Sequence, residues 1–130
     1  IYINNNIISG FLPNIFMDIV QDTAFIINNV LTNSKTAGLP GSIRSSGNIS
    51  SIKNTILAYN PGGIDADFLV TSDYNIFWKN EIDLIGLSYG DNDIIADPMF
   101  VKDTIPNAEL DFDYHLKNIH RQLMQETQIF

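Results

Sequence analysis

The commonest ionisable groups in this chain are carboxylates, and they cluster: Asp65, Asp67 and Asp73; Asp91, Asp93 and Asp97; Asp111 and Asp113. Converging carboxylate oxygens can hold a hard cation such as Ca²⁺. Asp91-Asn92-Asp93 has the alternating spacing of a calcium loop. Ala96, however, stands where that loop needs glycine, and Lys102 where it needs a bidentate glutamate, so an EF-hand is excluded. A Ca²⁺ site built from Asp91, Asp93 and Asp97 is one expectation. The other is that these residues start turns and keep the surface charged. Lys53, just before Asn54, is a candidate proton-abstracting base if it faces outward among acids; a lone lysine is otherwise a solvated surface residue. His115 is a candidate general base, or equally a packing and hydrogen-bonding side chain. Trp78, Tyr59 and Tyr89 carry ring faces that could stack on the apolar face of a sugar, or simply pack.

Composition narrows the function classes. The chain has 130 residues, 45% of them hydrophobic, which suits one domain with a real core. Its formal net charge is −8 and its isoelectric point is near 4.3. Such a surface repels phosphate backbones and anionic lipid, so nucleic-acid binding is not expected. Cysteine is absent, which removes disulfides, thiolate chemistry and cysteine-ligated zinc. No apolar run approaches the roughly 18 residues of a membrane-spanning helix.

The elements that must position these groups come from a repeat. An Asn, or an Asn pair, precedes two or three apolar residues and then a small or polar turn residue. The copies are Asn5-Asn6-Ile7-Ile8-Ser9-Gly10, Asn28-Asn29-Val30-Leu31-Thr32-Asn33, Asn54-Thr55-Ile56-Leu57-Ala58-Tyr59-Asn60 and Asn75-Ile76-Phe77-Trp78-Lys79-Asn80. A degenerate fifth is Asp97-Pro98-Met99-Phe100-Val101. The steps from Ile7 to Val30, Ile56, Ile76 and Met99 are about 23, 26, 20 and 23 residues, a period that signals a stacked repeat. The β-branched runs lack helical periodicity and caps, so the unit is a set of short strands. No such unit buries its apolar side chains alone; coiling the units so that like strands stack in parallel does. The expected fold is therefore an all-β parallel β-helix, a solenoid of about five coils.

In that column Ile7, Val30, Ile56, Ile76 and Met99 stack inside. Asn5, Asn28 and Asn54, with Asn75 near them, form a structural ladder at a bend, where amides bond the amides above and below. Register is open by one residue, because Asn54 can also align directly with Asn75. Gly10, Asn33, Asn60 and Asn80 mark the next bend, where left-handed backbone is tolerated. Residues 11–22 read as a turn and a strand of the same coil. Residues 32–50, rich in Gly, Ser and Pro, read as a loop inserted in one repeat, after which the pattern resumes at Ile52. Residues 111–116 alternate charge with apolar bulk and read as a last, half-exposed strand.

These motifs resemble the right-handed parallel β-helix proteins of the pectate-lyase-like superfamily, of a bacterial extracellular type. The resemblance rests on Asn54-Thr55-Ile56-Leu57-Ala58-Tyr59-Asn60-Pro61-Gly62-Gly63, on Ser72-Asp73-Tyr74-Asn75-Ile76-Phe77, and on the closing pair Ala96-Asp97-Pro98-Met99-Phe100-Val101 and Asp113-Tyr114-His115-Leu116. It covers residues 1–118 and implies a right-handed coil, a secreted or cell-surface location and a polysaccharide partner. It also implies that 1–118 is the C-terminal part of a longer solenoid, contacting upstream coils of the same chain. Members of that superfamily bind Ca²⁺ through Asp groups and cleave uronates with a Lys or Arg base; here only seven Lys and Arg residues occur in all. No cofactor beyond that Ca²⁺ is implied. The Asp-Asp and Gly-His-Gly pattern of polygalacturonases is not present. The expected role is a scaffold contacting polysaccharide without a complete catalytic site; the alternatives are a piece of a polysaccharide lyase or glycoside hydrolase, and a self-associating adhesin-like stalk. Residues 119–130 depart from the pattern: the family's next motif, Ser-Pro-Ala-Ile-Asp-Ala-Gly, can be read from permitted codons of residues 119–126 in a shifted frame, which marks the tail as a possible frameshift product.

Overall fold

The computed structural model describes residues 1–10, 15–17, 24–34, 41–102 and 113–117. Thirteen strands and no helix form among them: β1 (Tyr2–Asn4), β2 (Ile7–Ser9), β3 (Ile15–Met17), β4 (Phe25–Ile27), β5 (Val30–Thr32), β6 (Ile43–Lys53), β7 (Ile56–Ala58), β8 (Gly62–Asp73), β9 (Ile76–Trp78), β10 (Ile82–Ile85), β11 (Ile94–Ile95), β12 (Phe100–Lys102) and β13 (Asp113–Leu116). The frameshift reading of residues 119–130 and the closing residues 111–112 lie outside the described part of the chain.

The strands stack as the repeat requires. One sheet has the order β1-β4-β6-β8-β10, with β3 also beside β6; a second has the order β11-β9-β7-β5-β2. Every pairing in both sheets is parallel. Ile7, Val30, Ile56 and Ile76 are direct register partners, one above another. The fifth member of that column is Ile94, not Met99. Met99 instead takes left-handed backbone (φ 57°), and the next residues leave the coil.

A second correction concerns sides. The residues that face the interior are the second of each apolar pair. Leu31, Leu57 and Phe77 are fully buried with Ile26, Ile43, Ile52 and Ile64, and Ile8 packs on their edge. Because strand side chains alternate, Val30, Ile56 and Ile76 project from the opposite face. At the ends of that face Ile7 and Ile94 are exposed, but its middle, at Ile56 and Ile76, is not in water. β12 and β13, the chain's antiparallel pair, lie over it and place Phe100, Tyr114 and Leu116 against Ile56, Ala58 and Ile76. Phe100 and Tyr114 meet edge to face, their ring centroids 5.1 Å apart. Tyr114 Oη reaches further, to Asn33 Nδ2 and Ser9 Oγ. So the closing motif is a brace across several coils rather than another coil.

Residues 43–50, expected as loop, belong to β6. β8 pairs along one edge of it, and β3 and β4 take its two ends on the other, so strand pairing holds whatever the side chains; Ser45, Ser46 and Gly47 sit where the register with β8 shifts between Ser45 and Asn48. Gly63 is needed for contact: a Cβ there would stand 2.0 Å from the Asp83 carbonyl oxygen of the next coil.

Candidate functional site

The bends carry two polar columns, and in the first the hydrogen-bonding residues stand one residue beyond the expected positions. Asn5, Asn28 and Asn54 do align, but their role is conformational: they hold φ of 61°, 58° and 50°, and the residue stacked on them is Tyr74 (φ 56°), not Asn75. Asparagine tolerates this left-handed region better than other non-glycine residues. Asn54 Oδ1 is buried without a hydrogen-bond partner among the described residues. The inter-coil bonds belong to the following residue. Asn29 Oδ1 accepts from Asn6 N (3.0 Å), Thr55 Oγ1 accepts from Asn29 N (3.4 Å), Asn75 Oδ1 accepts from Thr55 N (3.0 Å), and Asp93 Oδ1 accepts from Asn75 N (3.0 Å). The side-chain amides turn the other way: Asn29 Nδ2 donates to Ile3 O and Asn75 Nδ2 to Ile52 O. At the next bend Gly10 and Asn33 are left-handed as expected, while Tyr59 and Lys79 take that role in later coils. Asn60 and Asn80 supply bonds instead: Asn60 Oδ1 accepts from Ser34 N and Asn80 Oδ1 from Asn60 N, both at 3.0 Å.

Both columns terminate on an aspartate. Asp93 takes Asn75 N and Nδ2 on Oδ1, and Gly90 N and Ser72 Oγ on Oδ2. Asp83 Oδ1 accepts from Asn80 Nδ2 at 2.8 Å, and its Oδ2 from Tyr89 Oη at 2.7 Å. These acids therefore serve as acceptors for donors that a further coil would otherwise satisfy. Sequence reasoning passed over Asp83, Ser72 and the Asn6–Asn29–Thr55 column. The available signal was the one-residue ambiguity between Asn54 and Asn75.

This bears on the metal candidates. Asp93 is committed to four protein donors. Asp97 Oδ1 accepts from Met99 N within its own turn, and Asp91 is exposed. Among the described residues, no three His, Asp or Glu side chains are placed to hold a metal ion together.

Lys53 is half-buried on the outward side of β6, with Ile27 and Asp73 as its strand neighbours. His115 is exposed on β13, and its Nδ1 lies 2.6 Å from Asp113 Oδ1. The two are not part of one cluster. Tyr59 and Trp78 do come together: Lys79 Nζ lies 6.0 Å from the Tyr59 ring centroid and 5.6 Å from that of Trp78, within cation–π range. Both rings are half-buried at the edge of the brace; Tyr59 and Lys79, but not Trp78, line a cavity of about 370 Å³ together with Asn33, Ser34, Asn60, Pro61 and Glu81.

Tyr89 is elsewhere. Its ring meets Phe77 edge to face at 5.3 Å, and its hydroxyl is held by Asp83. Partial burial, the Asp83 hydrogen bond and the charges of Asp83 and Asp93 push its pKa up to about 12. It borders a larger groove of about 630 Å³, between the end of β8 and residues 86–92.

Parallel sheets, polar columns at the bends and a continuous apolar interior define the class: the chain is an all-β parallel β-solenoid of about three turns. No protein-family model, curated protein or solved structure matches it.

Proposed function

We propose that this solenoid is a right-handed β-helix of the pectate-lyase-like kind, acting as a secreted or cell-surface scaffold that contacts polysaccharide. The right hand is favoured because crossovers between parallel strands of one sheet are overwhelmingly right-handed. The observation that carries the reading is the placement of the Tyr59 and Trp78 rings around Lys79, with Tyr59 and Lys79 lining an open polar cavity. Half-buried rings present a fixed apolar face to sugar C–H groups, and the lysine, Asn33 and Glu81 can bond hydroxyls at the rim.

Three features support a scaffold over a lyase or hydrolase. Asp83 and Asp93 are engaged in holding the stack. Lys53 has Ile27 and Asp73, not further cations, as strand neighbours. His115 and Asp113 form an exposed pair on the brace.

Trp78 is the chain's one tryptophan and shares Lys79 with Tyr59, so its fluorescence reports on the neighbourhood of the cavity. Titration with neutral and uronic polysaccharides is expected to quench or shift that emission, and Tyr59→Ala is expected to weaken the effect by about tenfold. Saturable binding that is unchanged in Tyr59→Ala, or unsaturated-product absorbance from polyuronates with Ca²⁺ that Lys53→Ala abolishes, would reject the scaffold reading.

A further inference from the structure

We infer that the edge of β8 over Asp67–Thr71, unpaired among the described residues, is a docking site for a short, extended, basic peptide segment, which adds to the sheet as an extra strand. The earlier strands of this sheet are each covered by the next, β1 by β4, β4 by β6 and β6 by β8. β10 covers β8 only as far as Asp65, paired with Ile85. From there residues 86–92 arch away. They return at Gly90, which approaches the Ser72 carbonyl so closely that a Cβ would stand 1.5 Å from its oxygen. Between the two contacts no described residue pairs with the β8 edge. The place that another strand would occupy is instead the groove of about 630 Å³.

Three observations select the occupant. The gap is bounded at Asp65 and at Ser72, so it admits four or five extended residues, roughly 15 Å of strand. A whole further coil does not fit, because the turn at Gly90–Asp93 already sits over Ser72 and closes the polar column on Asp93; this disfavours stacking of a second copy. The charge is one-sided: Asp67, Asp73 and Asp91 line the groove and no Lys or Arg does. Phe68, 66% exposed, and Tyr89, 47% exposed, flank it as apolar contacts for alternate side chains of an added strand. Unpaired sheet edges bind by main-chain hydrogen bonds and take specificity from such flanking side chains.

The test uses the full chain and a fluorescent peptide alternating lysine with valine. Saturable binding by anisotropy is expected, with protection from hydrogen exchange at the amides of Phe68–Thr71. Three changes are each expected to weaken binding at least about tenfold: glutamate for lysine in the peptide, Asp67→Lys in the protein, and N-methylation along one edge of the peptide. The last leaves the peptide's charge and the protein intact, and so isolates strand pairing. Equal binding of the N-methylated peptide would reduce the effect to charge attraction and overturn the proposal. So would protection confined to other strands, an absence of binding, or a self-association of the chain that Asp67→Lys abolishes.

Discussion

Asp93 Oδ1 accepts hydrogen bonds from both the backbone nitrogen and the side-chain amide of Asn75, each at 3.0 Å. Asn75 is fully buried, and its own Oδ1 serves Thr55 in the coil before. The carboxylate thus ends a chain of side-chain bonds that begins at Asn6. Asp93→Ala should leave Asn75, Ser72 and Gly90 with donors unsatisfied. The expected cost is about 3 kcal/mol, read from urea unfolding. Asp93→Asn, which keeps the Oδ1 acceptor, should cost less.

Thr55 interrupts a column otherwise made of Asn6, Asn29, Asn75 and Asp93. Its hydroxyl accepts from Asn29 N at a long 3.4 Å and donates to Lys53 O. An asparagine there would present Nδ2 toward the Ile26 carbonyl, as Asn29 does toward Ile3 and Asn75 toward Ile52. Thr55→Asn should therefore stabilise the solenoid by about 1 kcal/mol, seen as a raised urea midpoint.

The brace can be separated from the coils. Phe100→Ala empties a buried site against Ile56 and Ile76 and should cost about 3 kcal/mol. Tyr114→Phe keeps the ring and loses only the hydroxyl contacts with Asn33 and Ser9, at about 1 kcal/mol. Far-ultraviolet dichroism of the folded variants should remain β-rich in both, because the parallel sheets do not depend on the antiparallel pair for their hydrogen bonds. Loss of the β signal in Tyr114→Phe would contradict this.

Tyr89 gives a pH signature. Its pKa in the folded chain is raised to about 12, above the ordinary value of 10.0. The folded state thus holds the proton more tightly than the unfolded chain does. That contribution is complete below about pH 10 and is lost as pH rises through about 12. Its causes are partial burial, the bond to Asp83 and the charges of Asp83 and Asp93, which repel a phenolate. Tyr89→Phe should remove a step near pH 12 from the phenolate absorbance titration. It should also flatten the fall in stability over that window. A titration curve identical to the parent would rule this out.

Much of the architecture was legible in the chain because parallel stacking puts like residues above like. Asn5, Asn28 and Asn54 recur roughly every two dozen residues, and so do Val30, Ile56 and Ile76, the step varying with loop length; both sets do stack. The sites were less legible. Tyr59 and Trp78 were candidates on chemistry, but their meeting around Lys79 depends on left-handed backbone at Tyr59 and Lys79, where the sequence has no glycine to announce it. The groove at β8 is a missing neighbour, and no local pattern encodes that.

By itself, then, the sequence determined the period, the strand type and, to within one residue, the bends. It could not determine which side of each strand is the interior. Both members of Ile7-Ile8, Val30-Leu31, Ile56-Leu57 and Ile76-Phe77 are apolar, so the alternation that usually separates core from solvent is silent here. Only the tertiary structure decided it. Leu31, Leu57 and Phe77 fill the coil, and Val30, Ile56 and Ile76 are apolar because Phe100, Tyr114 and Leu116, remote in the chain, fold back to cover them.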